Sequence, residues 1–233
     1  VRTPVHQACL GDDAVGYGNV HGLSEPEAWH TYIDDHILPT ESLHGFIETM
    51  WKENEAVRFD AEIRNRGDGR LHWACPPANV SSIGRGCALL IRSDVPVTPH
   101  ERVVYRHPQG KALAVHLTWQ QRTILFLVTH LPHSEDAQIA FYEEIEQALR
   151  EVYSDWRTVE PDDYHPSGRI PTRREVIWAA DHNQVDDLRR DCLPAWSRKP
   201  TPGASAARRA LSQYLGTCDA YRHFHPDGRV FTR

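Results

Sequence analysis

The chain has 233 residues, of which 40% are hydrophobic and 25% are charged, a balance that fits a globular domain with a substantial core. This composition excludes a disordered or fibrous chain, and apolar runs such as 124–128 are far too short to cross a bilayer or to form a signal-peptide core. The net charge of −6 combines an acidic segment, 1–164, with a basic one, 165–233, so a basic surface for nucleic acid is compatible with the overall acidity.

The first predicted element is an amphipathic helix over 25–38. Ser24 and Glu27 form a capping box, and apolar residues then recur at helical spacing as far as Pro39. Strand-like apolar runs follow at 87–91, 113–119 and 124–129, with turns at 65–69 and 107–110.

A second helix is predicted over 135–153, with Ser134 as its N-cap and one apolar stripe behind it. A further strand, 176–180, lies between two proline-containing loops, 154–174 and 194–206. Because several strands run consecutively before this helix intervenes, the order indicates a largely antiparallel or mixed sheet rather than regular βαβ alternation.

The cysteines favour a reducing, intracellular compartment. There are five of them, an odd number, and they form no C-x-x-C pair, so neither a disulfide framework nor a zinc site is indicated.

Polar residues end the last predicted strand abruptly. Asp181, His182 and Asn183 follow the apolar run 176–180, and side chains at a strand end are held rigidly at the margin of a sheet, where sites are commonly built. A turn or capping role for Asp181 and Asn183 is the commoner use of such residues. The segment resembles the "GDFN" signature of the endonuclease/exonuclease/phosphatase family, with Ala180 in place of Gly and His182 in place of Phe.

Five further segments resemble the same family in the same chain order. They are 17–24, whose Asn19 matches the Asn of "Asn-x-x-Gly-Leu"; 46–51, whose Glu48 matches the Glu of "LQETHW"; 86–91, which is similar to "GVAILL"; 129–133, whose His130 matches the strand-end "THLP"; and 216–232, which is similar to "GLVDVWRxLHPxxxxFT" of the non-LTR retrotransposon branch.

The resemblance implies an α/β (α+β) fold, a four-layer sandwich of two mixed β-sheets flanked by helices. It covers 14–233 and leaves 1–13 as a leader or preceding segment. The family continues beyond the 216–232 match to a closing Ser-Asp-His motif that has no counterpart here, so the resemblance implies a C-terminally incomplete domain whose last strands are missing.

The implied chemistry is phosphodiester hydrolysis with Mg²⁺, or alternatively Mn²⁺. In the family pattern Glu48, with Asn19, holds the metal. Asp181 orients or deprotonates the attacking water, Asn183 binds the phosphate, and His130 positions Asp181 or donates to a phosphate oxygen. A hard cation with oxygen ligands suits an anionic phosphodiester because it neutralises charge on the phosphate.

The implied substrate is DNA, nicked as by the endonuclease of a retrotransposon polyprotein, with a downstream reverse transcriptase domain as partner, a nuclear location and no membrane. The paired arginines Arg173, Arg174, Arg189 and Arg190 are candidates for phosphate contacts, although paired surface arginines are more often simply solvated.

Two alternatives remain open at this point. One is a phosphatase or phosphodiesterase that acts on a small molecule or a lipid headgroup, since the same residues serve those substrates. The other is a catalytically inactive fragment that keeps only the fold or nucleic-acid binding.

Overall fold

The computed structural model describes residues 6–10, 13–22, 25–119, 122–153, 173–182 and 201–218. The strands are β1 His6–Leu10, β2 Asp13–Asn19, β3 Leu43–Ile47, β4 Gly69–Ala74, β5 Cys87–Arg92, β6 Arg102–Arg106, β7 Ala112–Trp119, β8 Arg122–His130 and β9 Arg173–Asp181. The helices are α1 Pro26–Tyr32, which runs on as a π-helical segment Ile33–Ile37, α2 Glu53–Arg66, α3 Glu135–Val152 and α4 Pro202–Leu215.

The chain divides into two compact units. The first comprises Val1–His130 and Glu160–Asp181, and the second comprises Leu131–Val159 and His182–Arg233. No helix in the described ranges is both long enough and apolar enough to span a membrane.

Two mixed sheets form the first unit. The five-stranded sheet has the order β1-β2-β3-β5-β4, in which β2 and β3 are parallel and the other pairs are antiparallel. The four-stranded sheet has the order β6-β7-β8-β9, in which only β8 and β9 are parallel. The prediction of an α+β fold with two mixed sheets and helices is therefore confirmed. Strand β1 also belongs to the five-stranded sheet, although it precedes residue 14, where the family resemblance begins.

The two sheets pack face to face through a hydrophobic core. Leu43 and Ile47 of β3 belong to this core, together with residues of β5, β7 and β8. Phe46, which alternates with them along β3, lies on the opposite face in a second core with helices α1 and α2. Its aromatic neighbour Trp29 lies in tilted contact, with a ring-centroid distance of 5.2 Å. Both faces of β3 are therefore buried, and the strand is fixed in position along its whole length.

Two helices, α3 and α4, pair in the second unit. Glu135 at the start of α3 accepts a hydrogen bond from the backbone N–H of Gly203 at 2.7 Å. Tyr214 donates from its hydroxyl to the carbonyl of Tyr153 at 2.9 Å, and the Arg150 guanidinium lies 4.2 Å from the centre of the Tyr214 ring.

Most predicted elements are confirmed. The helix predicted over 25–38 is α1 with its π-helical continuation, and the helix predicted over 135–153 is α3, with Ser134 at its N-cap. The capping box predicted from Ser24 is wrong, because the N-cap of α1 is Glu25, with no side-chain cap hydrogen bond. Ser24 itself lies outside the described residues. The strands predicted at 87–91, 113–119, 124–129 and 176–180 are β5, β7, β8 and β9.

The predicted loop 194–206 is wrong from residue 202 onward, because α4 begins there. Proline lacks an N–H, but the first helical turn leaves its N–H groups unpaired in any case, so Pro202 starts the helix rather than preventing it. The predicted loop 154–174 is likewise wrong at 173–174, which belong to β9. Helix α2 was not predicted at all.

Candidate active site

Four of the predicted site residues lie at strand ends in the first unit. Asn19 ends β2, His130 ends β8 and Asp181 ends β9, while Glu48 directly follows β3. Asn19 is in register with Ile47 on the neighbouring parallel strand. His130 is in register with Asp181 in the same way, and neighbouring strands lie about 4.8 Å apart.

The Glu48 carboxylate links the two sheets. Its Oε1 lies 2.9 Å from Nε2 of His130, and its Oε2 lies 2.8 Å from Nδ1 of His21. The other ring nitrogen of His130, Nδ1, lies 2.9 Å from the carbonyl oxygen of Gly84. Because a carbonyl and a carboxylate are both acceptors, the His130 ring makes both hydrogen bonds together only when both nitrogens carry hydrogen.

These contacts favour the ionised form of Glu48. The hydrogen bond from His130 is the main cause that lowers the pKa of Glu48 to about 2; burial opposes it, and the hydrogen bond from His21 adds to it. The side chain is 12% exposed, so the negative charge is sheltered yet open to solvent on one side. A strongly perturbed carboxylate with a specific charge partner is typical of a functional site.

His21 belongs to the site, and the sequence analysis did not assign it there. Its backbone N–H donates to Oδ1 of Asn19 at 3.1 Å, while its ring contacts Glu48. The side chain is 83% exposed, in contrast to the buried His130. The available signal was its position two residues after Asn19, inside the matched segment 17–24.

Backbone strain is concentrated at this edge. Among the described non-glycine residues, those with positive φ are His21 at 45°, Glu48 at 57° and Met50 at 57°. The left-handed region costs an L-residue roughly 1–2 kcal/mol. Strain of this kind, retained at one edge by the surrounding hydrogen bonds, is a common property of functional sites.

The donor atoms suit a hard divalent cation. Among the described residues, no group of three or more His, Cys, Asp or Glu side chains forms a metal site by itself. Mg²⁺, however, is usually held by one or two protein oxygens, several waters and substrate phosphate. Each oxygen of Glu48 makes one hydrogen bond to a histidine, which leaves lone pairs for a cation, and Asn19 offers an amide oxygen.

Solved structures with this architecture include an AP endonuclease and a 3′ phosphatase. The chain aligns with AP endonuclease LMAP from Leishmania major over 93% of its own length and 69% of the other chain, with 15% identity and a TM-score of 0.59. It aligns with the 3′ phosphatase NExo from Neisseria, bound to a product DNA hairpin, over 91% of its own length and 74% of the other chain, with 13% identity and a TM-score of 0.59. It aligns with the catalytic domain of human Nocturnin, with bound sulfate, over 98% of its own length and 80% of the other chain, with 14% identity and a TM-score of 0.56.

This chain has the endonuclease/exonuclease/phosphatase fold. No protein-family model and no curated protein sequence matches it, so the likeness is one of structure.

The remaining residues that were predicted to belong to the site lie apart from it or outside the described ranges. Arg174 is in β9, seven residues before Asp181, which places it about 23 Å away along an extended strand. Arg173 is in the same strand, but its side chain is not described. Asn183, Arg189 and Arg190 lie outside the described residues, as does most of the 216–232 segment.

His182, which replaces the Phe of the family motif, makes specific contacts in the second unit. Its Nδ1 lies 3.0 Å from the hydroxyl of the buried Tyr142, and its backbone carbonyl accepts a hydrogen bond from Gln138 at 3.5 Å. His182 therefore forms a side-chain hydrogen bond that the Phe of the family motif could not form.

Proposed function

We propose that this chain hydrolyses phosphodiester bonds in DNA with the help of Mg²⁺. The observation that carries the proposal is the Glu48–His130 contact of 2.9 Å between two sheets, with Asp181 in register beside His130. It supplies an ionised carboxylate, an imidazole and a second carboxylate at one edge of the molecule. These are the residue types that phosphodiester hydrolysis needs.

Glu48 and Asn19 are the residues that would hold Mg²⁺. When bound, the cation would neutralise negative charge on the phosphate. The ionised state of Glu48 favours this role, because a carboxylate binds a hard cation only after it has lost its proton.

Asp181 is assigned to the attacking water, which its carboxylate would orient and deprotonate. His130 is assigned a positioning role. Its ring lies between the Gly84 carbonyl and Glu48, and both contacts hold the Glu48 carboxylate in a fixed orientation. Asn183 is assigned to the phosphate from the family resemblance.

DNA is the preferred substrate for two reasons. The similar structures include an AP endonuclease and a 3′ phosphatase bound to product DNA. The segment 216–232 resembles the retrotransposon branch, from which a nicking reaction, a reverse transcriptase partner and a nuclear location would follow.

The test compares supercoiled plasmid DNA with inositol phosphates as substrates for the full chain, in Mg²⁺ and in EDTA. We expect Mg²⁺-dependent nicking and no phosphate release from inositol phosphates. Preferential release from inositol phosphates would favour the small-molecule phosphatase. Inactivity on both substrates, in a chain shown to be folded, would favour the inactive fragment.

A further inference from the structure

Two basic residues lie on loops that are hydrogen-bonded to the backbone of the site, one near Glu48 and the other at His130. The N–H of Met50 donates to the carbonyl of Arg85 at 2.8 Å, and the N–H of His130 donates to the carbonyl of Lys111 at 2.9 Å. The two loops are also joined to each other, because the N–H of Gly86 donates to the carbonyl of Gly110 at 2.9 Å. Arg85 and Lys111 therefore lie next to a common backbone bridge at the site.

A glycine in each of these loops allows a close approach to a neighbouring segment. Gly86 has φ 94°, and a Cβ atom there would lie 2.2 Å from Oγ1 of Thr49. Gly110 has φ 70°, and a Cβ atom there would lie 2.8 Å from the backbone nitrogen of Pro76. Neither position accepts a side chain without a shift, so glycine is needed for the approach of the first loop to Thr49 and of the second loop to Pro76.

The positive charges of Arg85 and Lys111 interact, and among the described residues neither has an acidic partner. Burial lowers the pKa of Lys111, and the positive charge of Arg85 lowers it further. In the part of the chain that the structure describes, neither residue forms an ion pair; the Arg85 guanidinium donates to the carbonyl of Ser81 at 3.3 Å. Two half-buried like charges repel, and an anion between them removes that repulsion.

Two other arginines of the same unit have acidic partners. Arg70 binds Glu101, and Arg92 donates from Nε to Asp94 at 2.7 Å. Within the described ranges, the absence of an ion pair at Arg85 and Lys111 therefore distinguishes them from these two arginines.

We infer that Arg85 and Lys111 form a second anion site, which binds the phosphodiester next to the cleaved one on a nucleic-acid strand. A guanidinium forms two parallel hydrogen bonds with a phosphate, and an ammonium adds a point charge. This inference rests on the proposed function, because it takes the cleaved phosphate to lie at Glu48. It adds that the enzyme prefers substrates with more than one phosphate.

The test uses the double variant Arg85→Gln/Lys111→Met in the full chain. Binding of a short, fluorescently labelled single-stranded oligodeoxynucleotide is measured by anisotropy in EDTA over a range of salt concentrations. We expect affinity to fall roughly tenfold to a hundredfold, and the slope of log K against log salt to fall by about one. Unchanged affinity and slope would overturn the inference.

Kinetics give an independent readout. We expect the ratio of kcat/KM on the oligonucleotide to kcat/KM on bis(p-nitrophenyl) phosphate, which has a single phosphate, to fall about tenfold. An unchanged ratio would overturn the inference, because the two cations would then act on the cleaved phosphate itself. If the wild type cleaves neither substrate while the double variant loses oligonucleotide binding, the proposed hydrolysis fails and the anion site stands.

A matched control removes two other positive charges. Arg58→Gln/Arg64→Gln changes two exposed arginines on α2, each in an i,i+4 ion pair, and alters net charge by the same amount. We expect this control to keep both its oligonucleotide affinity and its kinetic ratio. Thermal unfolding by circular dichroism establishes that both double variants are folded.

Discussion

The Nε2 atom of His130 lies 2.9 Å from Oε1 of Glu48, and this contact joins the ends of two strands that belong to different sheets. The same histidine is fixed on its other side by the carbonyl of Gly84. The position of the Glu48 carboxylate thus depends on how closely the two sheets pack and on the loop that contains Gly84. Site geometry and core packing are therefore linked in this fold.

Glu48→Gln should abolish Mg²⁺-dependent nicking while the protein stays folded. Glutamine keeps the size of the side chain but removes its charge, so it binds a hard cation poorly. We expect activity to fall by roughly 10²–10³ or more. Calorimetric titration with Mg²⁺ measures the loss of cation binding, and plasmid nicking measures the loss of activity. Asp35→Asn, an exposed carboxylate on the π-helical segment, is the control and should behave as the wild type. Full nicking by Glu48→Gln would remove Glu48 from the metal site.

Asp181 was the part of the site that the local pattern predicted. It ends the apolar run 176–180, and a polar side chain at a strand end lies at the margin of a sheet. His130, Glu48 and Asn19 needed the family resemblance. The contact between Glu48 and His130 joins residues far apart in sequence and in different sheets, so local pattern did not reveal it.

His21 and the helices α2 and α4 were not predicted from the sequence, for different reasons. The contact of His21 with Glu48 depends on a left-handed backbone at His21, which no sequence pattern specifies for a histidine. Helix α2 has the apolar positions Ala56, Phe59 and Ile63 at helical spacing, a signal that was present and not used. Helix α4 was missed because Pro202 and Gly203 are also typical of loops.

Asp181→Asn should lower kcat by about 10²–10⁴ and leave DNA affinity nearly unchanged. The carboxylate acts on the attacking water in this proposal, and asparagine accepts no proton. Single-turnover nicking measures the rate of the chemical step, and filter binding measures the DNA affinity. Glu175→Gln on the same strand is the control, since Glu175 lies six residues earlier and pairs with Arg122 at 3.6 Å. A comparable loss of DNA affinity in Asp181→Asn would contradict the assigned role.

Glu101 should make the stability of the protein depend on pH. Burial by itself raises the pKa of Glu101, but hydrogen bonds from Arg70 and His72 outweigh it and bring the pKa to about 2. Since the folded pKa lies below the unfolded value of about 4.5, the stabilisation is complete above that value and is lost as the pH falls toward 2. The contribution is on the order of 3 kcal/mol.

The measurement is urea unfolding of the wild type and Glu101→Gln between pH 7 and pH 2, where the difference in unfolding free energy should shrink with falling pH. Asp94→Asn is the control. Asp94 also pairs with an arginine, but its side chain is 44% exposed, so its loss should cost less than about 1 kcal/mol. A constant difference across the range would mean that Glu101 stabilises the fold without its charge.

His182→Phe should reduce stability and leave hydrolysis intact. Phenylalanine is the residue of the family motif, but here it would leave the hydroxyl of the buried Tyr142 without its imidazole partner. We expect a loss of about 1 kcal/mol. A double-mutant cycle with Tyr142→Phe should show coupling, with the double variant losing less than the sum of the two single variants. Additive losses would show that the hydrogen bond contributes nothing.

Gly45→Ala should lower activity through the packing of the sheets. Gly45 lies in the middle of β3, and a Cβ atom there would be 3.2 Å from side-chain carbons of Phe126 and Val128 and 3.3 Å from Cβ of Ala179. The neighbours surround the position and are buried or part of the core, so the strands must move apart by a few tenths of an ångström. We expect this overpacking to lower the free energy of unfolding by about 1–3 kcal/mol. Glu48 lies three residues further along, so its contact with His130 should lengthen.

The control for this last prediction is Gly67→Ala. Gly67 has φ 76°, and no atom lies within 4 Å of the position a Cβ would take, so alanine costs about 1 kcal/mol of backbone strain and leaves the sheets unchanged. Unfolding free energies and kcat/KM for nicking are compared for both variants. We expect both to be destabilised, but only Gly45→Ala to lose activity per folded molecule. Equal activity in the two variants would show that the spacing of the sheets at Gly45 does not control the geometry of Glu48.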